Sequence, residues 1–240
     1  LRSAICLKLH AFAERGAIIA AATTSIPEAV GTRRTWDYRY CWLRDAFFVV
    51  RALNSLSEVG TMEDYMRWLT NVVVQAQDGH IQPLYGIGLE RELPESVLDH
   101  LGGYRNMGPV RVGNQAQEHF QHDVYGNVVL GAAQAFHDHR LLHRGGLTEF
   151  HRLEDVGEQA VRVFGTPDAG MWELRTRARV HTSSALMSWA ACDRLAKAAR
   201  HLGLTERGEL WDERARLIRA RIEAEAYLPD EGRFAASFGG

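Results

Sequence analysis

The chain reads as an all-α protein whose helices sort into two layers, and three observations carry that reading. Helical periodicity recurs along nearly the whole sequence, while strand alternation is scarce. Successive helical segments alternate in character: the second, fourth and sixth are rich in small and apolar residues, and the third and seventh are charged along one side. Connections alternate too, short turns with long loops, and each long loop leads into an even-numbered helix. Buried helices inside half-wetted ones produce all three.

In order along the chain, a short apolar helix is predicted over 2–14. The second, over 44–58, sets Phe47, Val50, Leu53 and Leu56 on one face. The third, over 62–76, carries Tyr65, Trp68, Leu69, Val72 and Val73. A fourth is predicted over 116–138 and a fifth over 148–164. The sixth, 183–202, is almost wholly small and apolar through "SSALMSWAACDRLAKAA", and the seventh, 206–226, shows Leu210, Trp211, Leu217, Ile218 and Ile222 among charges. "SEVGTME" at 57–63 is a short turn. Residues 15–43, 77–115 and 165–182 are long loops, which in a compact domain usually carry function. All three should gather on one face, because they arrive at the same end of the even-numbered helices.

Composition narrows the function classes. Hydrophobic residues are 46% and charged residues 24%, as in an ordinary globular protein. A net charge of −2 gives no bulk attraction to nucleic acid or anionic membrane. No apolar run reaches the roughly 18 residues of a membrane span. Cys6, Cys41 and Cys192 are odd in number and far apart, which argues against a disulfide framework and for a cytoplasmic setting. The opening "LRSAICLKLHAFAERG" has no signal-peptide layout and no initiator Met, so a fragment is expected. His119 with His122 and His137 with His139 have metal-like spacing, but no acidic or cysteine ligand completes a zinc pattern nearby, and no metal is expected. Gly86-Ile87-Gly88 follows no predicted strand and carries no weight as a phosphate loop.

Three clusters carry possible chemistry. In "RRTWDYRYCWLRDAFFVV" (33–50), Trp36, Tyr38, Tyr40 and Trp42 crowd around charged side chains. Flat rings stack on the C–H face of a pyranose, and Arg44 with Asp45 offers a donor fork and an acceptor to vicinal hydroxyls. Asp45 also lies where a helix dipole favours a carboxylate. The same residues equally serve as a helix cap and local ion pair, with the rings as core. In "TPDAGMWELRTRARVHTSS", Glu173 stands between Trp172 and the sixth helix. Desolvation by the indole and Met171 would keep a proton on Glu173 for a leaving group; the alternative is a solvated Glu in a charged loop. In "QAQEHFQHDVYG", Gln121 and Asp123 sit at the fourth helix and by themselves are ordinary polar helix residues.

Taken together, "TTSIPEAVGTRRTWDYRYCWLRDAFF", "IQPLYGIG", "LDHLGGYR", "PVRVGNQAQEHFQHDVYG", "GMWELR" and "ALMSWAACDRL" resemble the bacterial branch of glycoside hydrolase family 15, which contains glucoamylases, glucodextranases and some trehalases. The resemblance runs in order along essentially the whole chain. It implies a partial (α/α)6 toroid, six inner helices inside six outer ones, with about seven of the twelve present. Residues 1–240 would then be a piece of the catalytic domain, lacking an amino-terminal β-sandwich and the last toroid helices. Residue by residue, Arg44 and Asp45 resemble the pair that grips the non-reducing glucose, and Trp42 and Tyr38 its aromatic lining. Glu173 resembles the general acid with Trp172 as neighbour, and Gln121 and Asp123 a supporting pair. The general base would lie beyond residue 240, leaving this piece inactive alone. Fungal relatives place a second carboxylate after the acid; Leu174 stands there here, which leaves the aglycone contacts open.

The expectation is therefore an inverting, exo-acting α-glucoside hydrolase of glucoamylase type, needing no cofactor and acting on a carbohydrate. Trehalase action on α,α-trehalose is the alternative within the family. A helical scaffold that binds carbohydrate or protein without catalysis is the alternative of another class.

Overall fold

Seven α-helices and four two-stranded antiparallel ladders form the regular structure among the described residues, 1–76 and 79–240, of this computed structural model. Backbone contacts divide them into two units: residues 1–68 with 82–119, and residues 69–81 with 120–240. Among the described residues, no helix is long and apolar enough to cross a membrane.

In the first unit, α1 (Arg2–Leu9) stops short of the predicted 2–14 because the chain reverses into a hairpin of β1 (Ala11–Phe12) and β2 (Ala17–Ile18). The predicted loop 15–43 is itself a long irregular hairpin. Ala20 N–H donates to Tyr40 O, Ala21 N–H to Tyr38 O, and Ser25 N–H to Trp36 O, each at 2.9 Å. It ends in β3 (Cys41–Trp42), which pairs with β4 (Leu84–Tyr85). Two-residue strands are too short for alternation to register in a sequence, so non-local pairing formed where loop was expected.

Helix α2 (Leu43–Asn54) follows β3 directly and buries Leu43, Ala46, Phe47, Val50 and Leu53, the helical spacing its sequence shows. Leu56, expected on that face, lies past the helix end and is exposed. Helix α3 (Gly60–Gln75) buries Met62, Tyr65 and Trp68 within this unit. The remaining loop contributes β5 (Ser96–Val97) paired with β6 (Arg111–Val112). Gly86-Ile87-Gly88 is a turn whose Gly88 N–H is taken by the Glu90 carboxylate at 2.9 Å.

The second unit holds α4 (Asp123–Ala133), α5 (Leu147–Val163), α6 (Thr182–His201) and α7 (Thr205–Ala226). Helix α4 packs on α5 and α6, and α6 packs in turn on α5 and α7. The predicted contrast in burial is present: α4 is buried nearly all round, whereas α7 buries one stripe, Trp211, Ala215, Ile218, Ile222 and Ala226. Small residues let backbones approach. A Cβ on Gly126 of α4 would meet the Met187 carbonyl oxygen of α6 at 2.3 Å. Between α5 and α7, buried Glu154 accepts from Trp211 Nε1 at 2.7 Å and Arg207 Nε at 2.8 Å.

The predicted fourth helix, 116–138, is three pieces. A 3-10 turn at Gln115–Glu118 is capped by Asn114, whose side chain accepts from Ala116 N–H; α4 begins only at Asp123; and a second 3-10 turn covers Gln134–Phe136. Between the first two pieces, backbone groups leave the helix for tertiary partners, Phe120 O accepting from Ala169 N–H and His122 N–H donating to Asp168. Cys41 and Cys192 are buried and unpaired, and burial pushes both thiols up to about 12.

Candidate active site

The loop after α5 carries Glu173. Its base is closed by a backbone pair: Asp168 N–H donates to Arg179 O at 2.9 Å and Arg179 N–H to Asp168 O at 3.1 Å. At its tip Glu173 has φ +54, a left-handed conformation sparsely used by residues other than glycine, and its N–H donates to Gly170 O at 3.1 Å. Gly170 is itself at φ +64, and a Cβ there would stand 2.5 Å from the His181 ring. The turn thus requires glycine at 170 and presents a carboxylate at 173.

Half-buried Glu173 accepts a hydrogen bond from the amide of Gln121 (Nε2 to Oε1, 3.1 Å). Gln121 is 2% exposed, so its amide is held in one place. The structure therefore brings together two of the residues named from sequence across 52 positions. Asp123, 3% exposed, opens α4 and accepts from Asn127 Nδ2 one turn on at 3.1 Å. Trp172, expected to desolvate Glu173, is 77% exposed, and Met171 is exposed as well. The Gln121 amide and the backbone of the turn both restrain the carboxylate.

Sequence reasoning missed Asp168. Buried at 2% exposure, it accepts His122 N–H at 2.8 Å and the Ser184 hydroxyl at 2.7 Å, both at Oδ2. His122 is the N-cap of α4 and Ser184 lies in the first turn of α6, so these two helices start at the same end. Within this unit the long loop 165–182 meets the starts of both helices through Asp168. Burial pushes the His122 imidazole below its ordinary value, while the Asp168 charge opposes that shift. The local signal for Asp168 is "PDAG", which reads as a turn.

In the first unit, Arg44 and Asp45 occupy the first turn of α2, Arg44 half-buried and Asp45 exposed. Tyr38 is half-buried, and its hydroxyl donates to Glu28 Oε1 at 3.0 Å. Trp42, expected to line a sugar site, is 2% exposed and packs with Leu84, Leu93 and Ala116. Its ring meets Tyr38 at 5.8 Å, so its direct part is to back that tyrosine. Asp37, at 0% exposure, is the centre of this stretch. It takes Arg39 Nε and Nη2 at 2.8 Å each and Gly113 N–H at 3.2 Å. Much of the charge among these rings therefore pins loops together.

The model of the family "Glycosyl hydrolases family 15" matches residues 1–240. The chain belongs to glycosyl hydrolases family 15. Among sequences similar to this family 15 chain, the trehalase of Mycobacterium tuberculosis is 35% identical over 99% of this chain and 35% of its own length. The trehalase of Thermoplasma volcanium is 30% identical over 100% of this chain and 37% of its own length. The chain thus spans about a third of the length of the curated relatives it matches. A bacterial glucoamylase complexed with acarbose aligns over 99% of this chain and 31% of its own, at 16% identity and a TM-score of 0.64. A glucoamylase from Saccharomycopsis fibuligera aligns with a TM-score of 0.57 at 15% identity, over 91% of this chain and 46% of its own. At such identities the likeness is one of fold, and the family 15 chain is all-α and part of an (α/α)6 toroid.

Proposed function

We propose that this chain supplies the acid side of an inverting glycoside hydrolase whose substrate is α,α-trehalose. The observation that carries the reading is Glu173, a carboxylate lifted on a left-handed turn and held by the buried Gln121 amide. A fixed carboxyl group of this kind serves as a general acid, giving its proton to the departing glycosidic oxygen. In an inverting enzyme a second carboxylate activates water on the opposite face of the sugar, roughly 6.5–9.5 Å from the first. We assign that base to a part of the protein outside residues 1–240, so these residues alone should not turn over substrate. Arg44 and Asp45 are the residues we assign to glucose hydroxyls, with Tyr38 against the ring.

Trehalose takes precedence over the glucoamylase-type substrate expected from sequence because the relatives at 30–36% identity are trehalases. The proteins named glucoamylases are alike in fold at 15–16% identity, which says little about an aglycone pocket. Full-length enzyme should be offered trehalose, maltose, isomaltose and a longer maltosaccharide. Trehalose should be preferred, and by NMR each turnover should release one β-glucose, from the attacked ring, and one α-glucose, from the leaving ring. Two α-glucose products would overturn inversion, preference for the maltosaccharide would restore the glucoamylase reading, and binding without turnover would favour a scaffold.

Glu173→Gln should reduce trehalose hydrolysis by about 100- to 10,000-fold. An α-glucosyl fluoride, whose leaving group needs little protonation, should lose far less. Equal losses on both would count against Glu173 as the acid. Asp45→Ala should lower kcat/KM by orders of magnitude if its hydroxyl contacts tighten in the transition state.

A further inference from the structure

Asp168 stands at the base of the Glu173 loop, and one of its oxygen atoms joins three segments. Oδ2 takes the His122 N–H and the Ser184 hydroxyl, while the Asp168 backbone pairs with Arg179 across the loop base. His122 lies between Gln121, which holds Glu173, and Asp123. Ala169 N–H donates to Phe120 O at 2.9 Å, beside the same junction. Oδ1 is buried with no hydrogen-bond partner among the described residues, an arrangement that costs stability. Both donors to Oδ2 lie at helix starts, His122 at that of α4 and Ser184 at that of α6.

We propose that Asp168 is a positioning residue for Glu173. Its carboxylate holds the loop base against the start of α4, so the Gln121 amide keeps the Glu173 carboxyl aimed at the glycosidic oxygen. This rests on the reading of Glu173 as general acid. A side chain that only stabilises the fold changes how much enzyme is folded. One that aims a reacting group changes the rate per folded molecule, by on the order of 100-fold for a displacement near 1 Å.

The test uses full-length enzyme. Asp168→Asn keeps the shape and removes the charge. For trehalose, kcat should fall about 10- to 100-fold with KM nearly unchanged. For α-glucosyl fluoride the loss should stay below about threefold. In a Glu173→Gln background the same change should have no further effect on kcat, since two residues acting through one proton transfer are not additive. Circular dichroism and thermal melts report the folded fraction. If Asp168→Asn does not fold, Ser184→Ala removes one donor to the same oxygen and should show the same pattern at smaller size. An unchanged kcat, equal losses on both substrates, or a further loss in the Glu173→Gln background overturns the positioning role. If Glu173→Gln by itself leaves trehalose hydrolysis intact, the acid assignment fails and positioning fails with it. If Glu173→Gln is inactive and Asp168→Asn silent, positioning alone is lost.

Discussion

Asp37 and Asp168 are both buried carboxylates that tie loops together, and they are satisfied in opposite ways. Asp37 is clipped by its own neighbour: Arg39 offers its backbone N–H, Nε and Nη2, and Gly113 N–H adds a donor from a distant loop. Asp138 in the second unit repeats the device with Arg140, through the same three donor groups. Asp168 draws its donors from two helix starts, His122 and Ser184, far from it in sequence. An Asp-x-Arg clip balances its charge locally and can sit wherever a loop needs closing. A carboxylate held by two helix ends depends on the fold to place both, and it transmits their placement to the loop it carries. The region densest in rings and charges owes much of that chemistry to structure, whereas the plainer loop at 165–182 carries Glu173, the residue we propose as the acid.

The comparison can be broken at the clip. Arg39→Ala would take the guanidinium from a carboxylate at 0% exposure that keeps its backbone donors, and stability measured by denaturant should drop by about 3 kcal/mol. Asp37→Asn should cost less, about 1–3 kcal/mol, because Arg39, with 43% of its side chain exposed, can turn to water. The reverse order would show that the ion pair is not what holds these loops.

On the other side, Gly170→Ala should cost about 1–3 kcal/mol, because it combines positive φ with a contact on His181. It should also lower kcat by moving the turn under Glu173. A stable variant with full rate would show that the turn does not place the acid.

The smallest expected effect concerns Asp138, whose carboxyl the Arg140 guanidinium holds well below the usual carboxylate range. A depressed carboxylate contributes stability above its unfolded value, about 3.9, and loses it as pH falls through the lower folded value. Asp138→Asn should therefore be less stable than the parent near neutrality, with the gap narrowing below about pH 4. A gap constant with pH would assign the effect to packing.

The helices with the clearest periodic faces were legible almost to their ends. Predictions of 148–164, 183–202 and 206–226 meet α5 at Leu147–Val163, α6 at Thr182–His201 and α7 at Thr205–Ala226. Periodicity is a local property, and these segments are long enough to display it. The fourth helix was misread because residues 119–122 contain no glycine or proline to break it, whereas bonds to Asp168 and Ala169 draw that backbone away. Glu173, Gln121, Arg44 and Asp45 took their site roles from family resemblance; read alone, Glu173 stood between a desolvated acid and a solvated loop residue, and Arg44-Asp45 between a sugar grip and a helix cap.

By itself, then, the sequence determined the all-α class, the order of most helices and the contrast between buried and half-wetted ones, because those follow from the spacing of apolar side chains. Tertiary structure decided that Trp42 is core, that Gln121 meets Glu173 across 52 positions, and that Asp168 joins the starts of α4 and α6. The physical reason is range. A helix face is set by residues three and four apart, whereas the burial of a polar group and the partner that satisfies it exist only once distant segments have folded against each other.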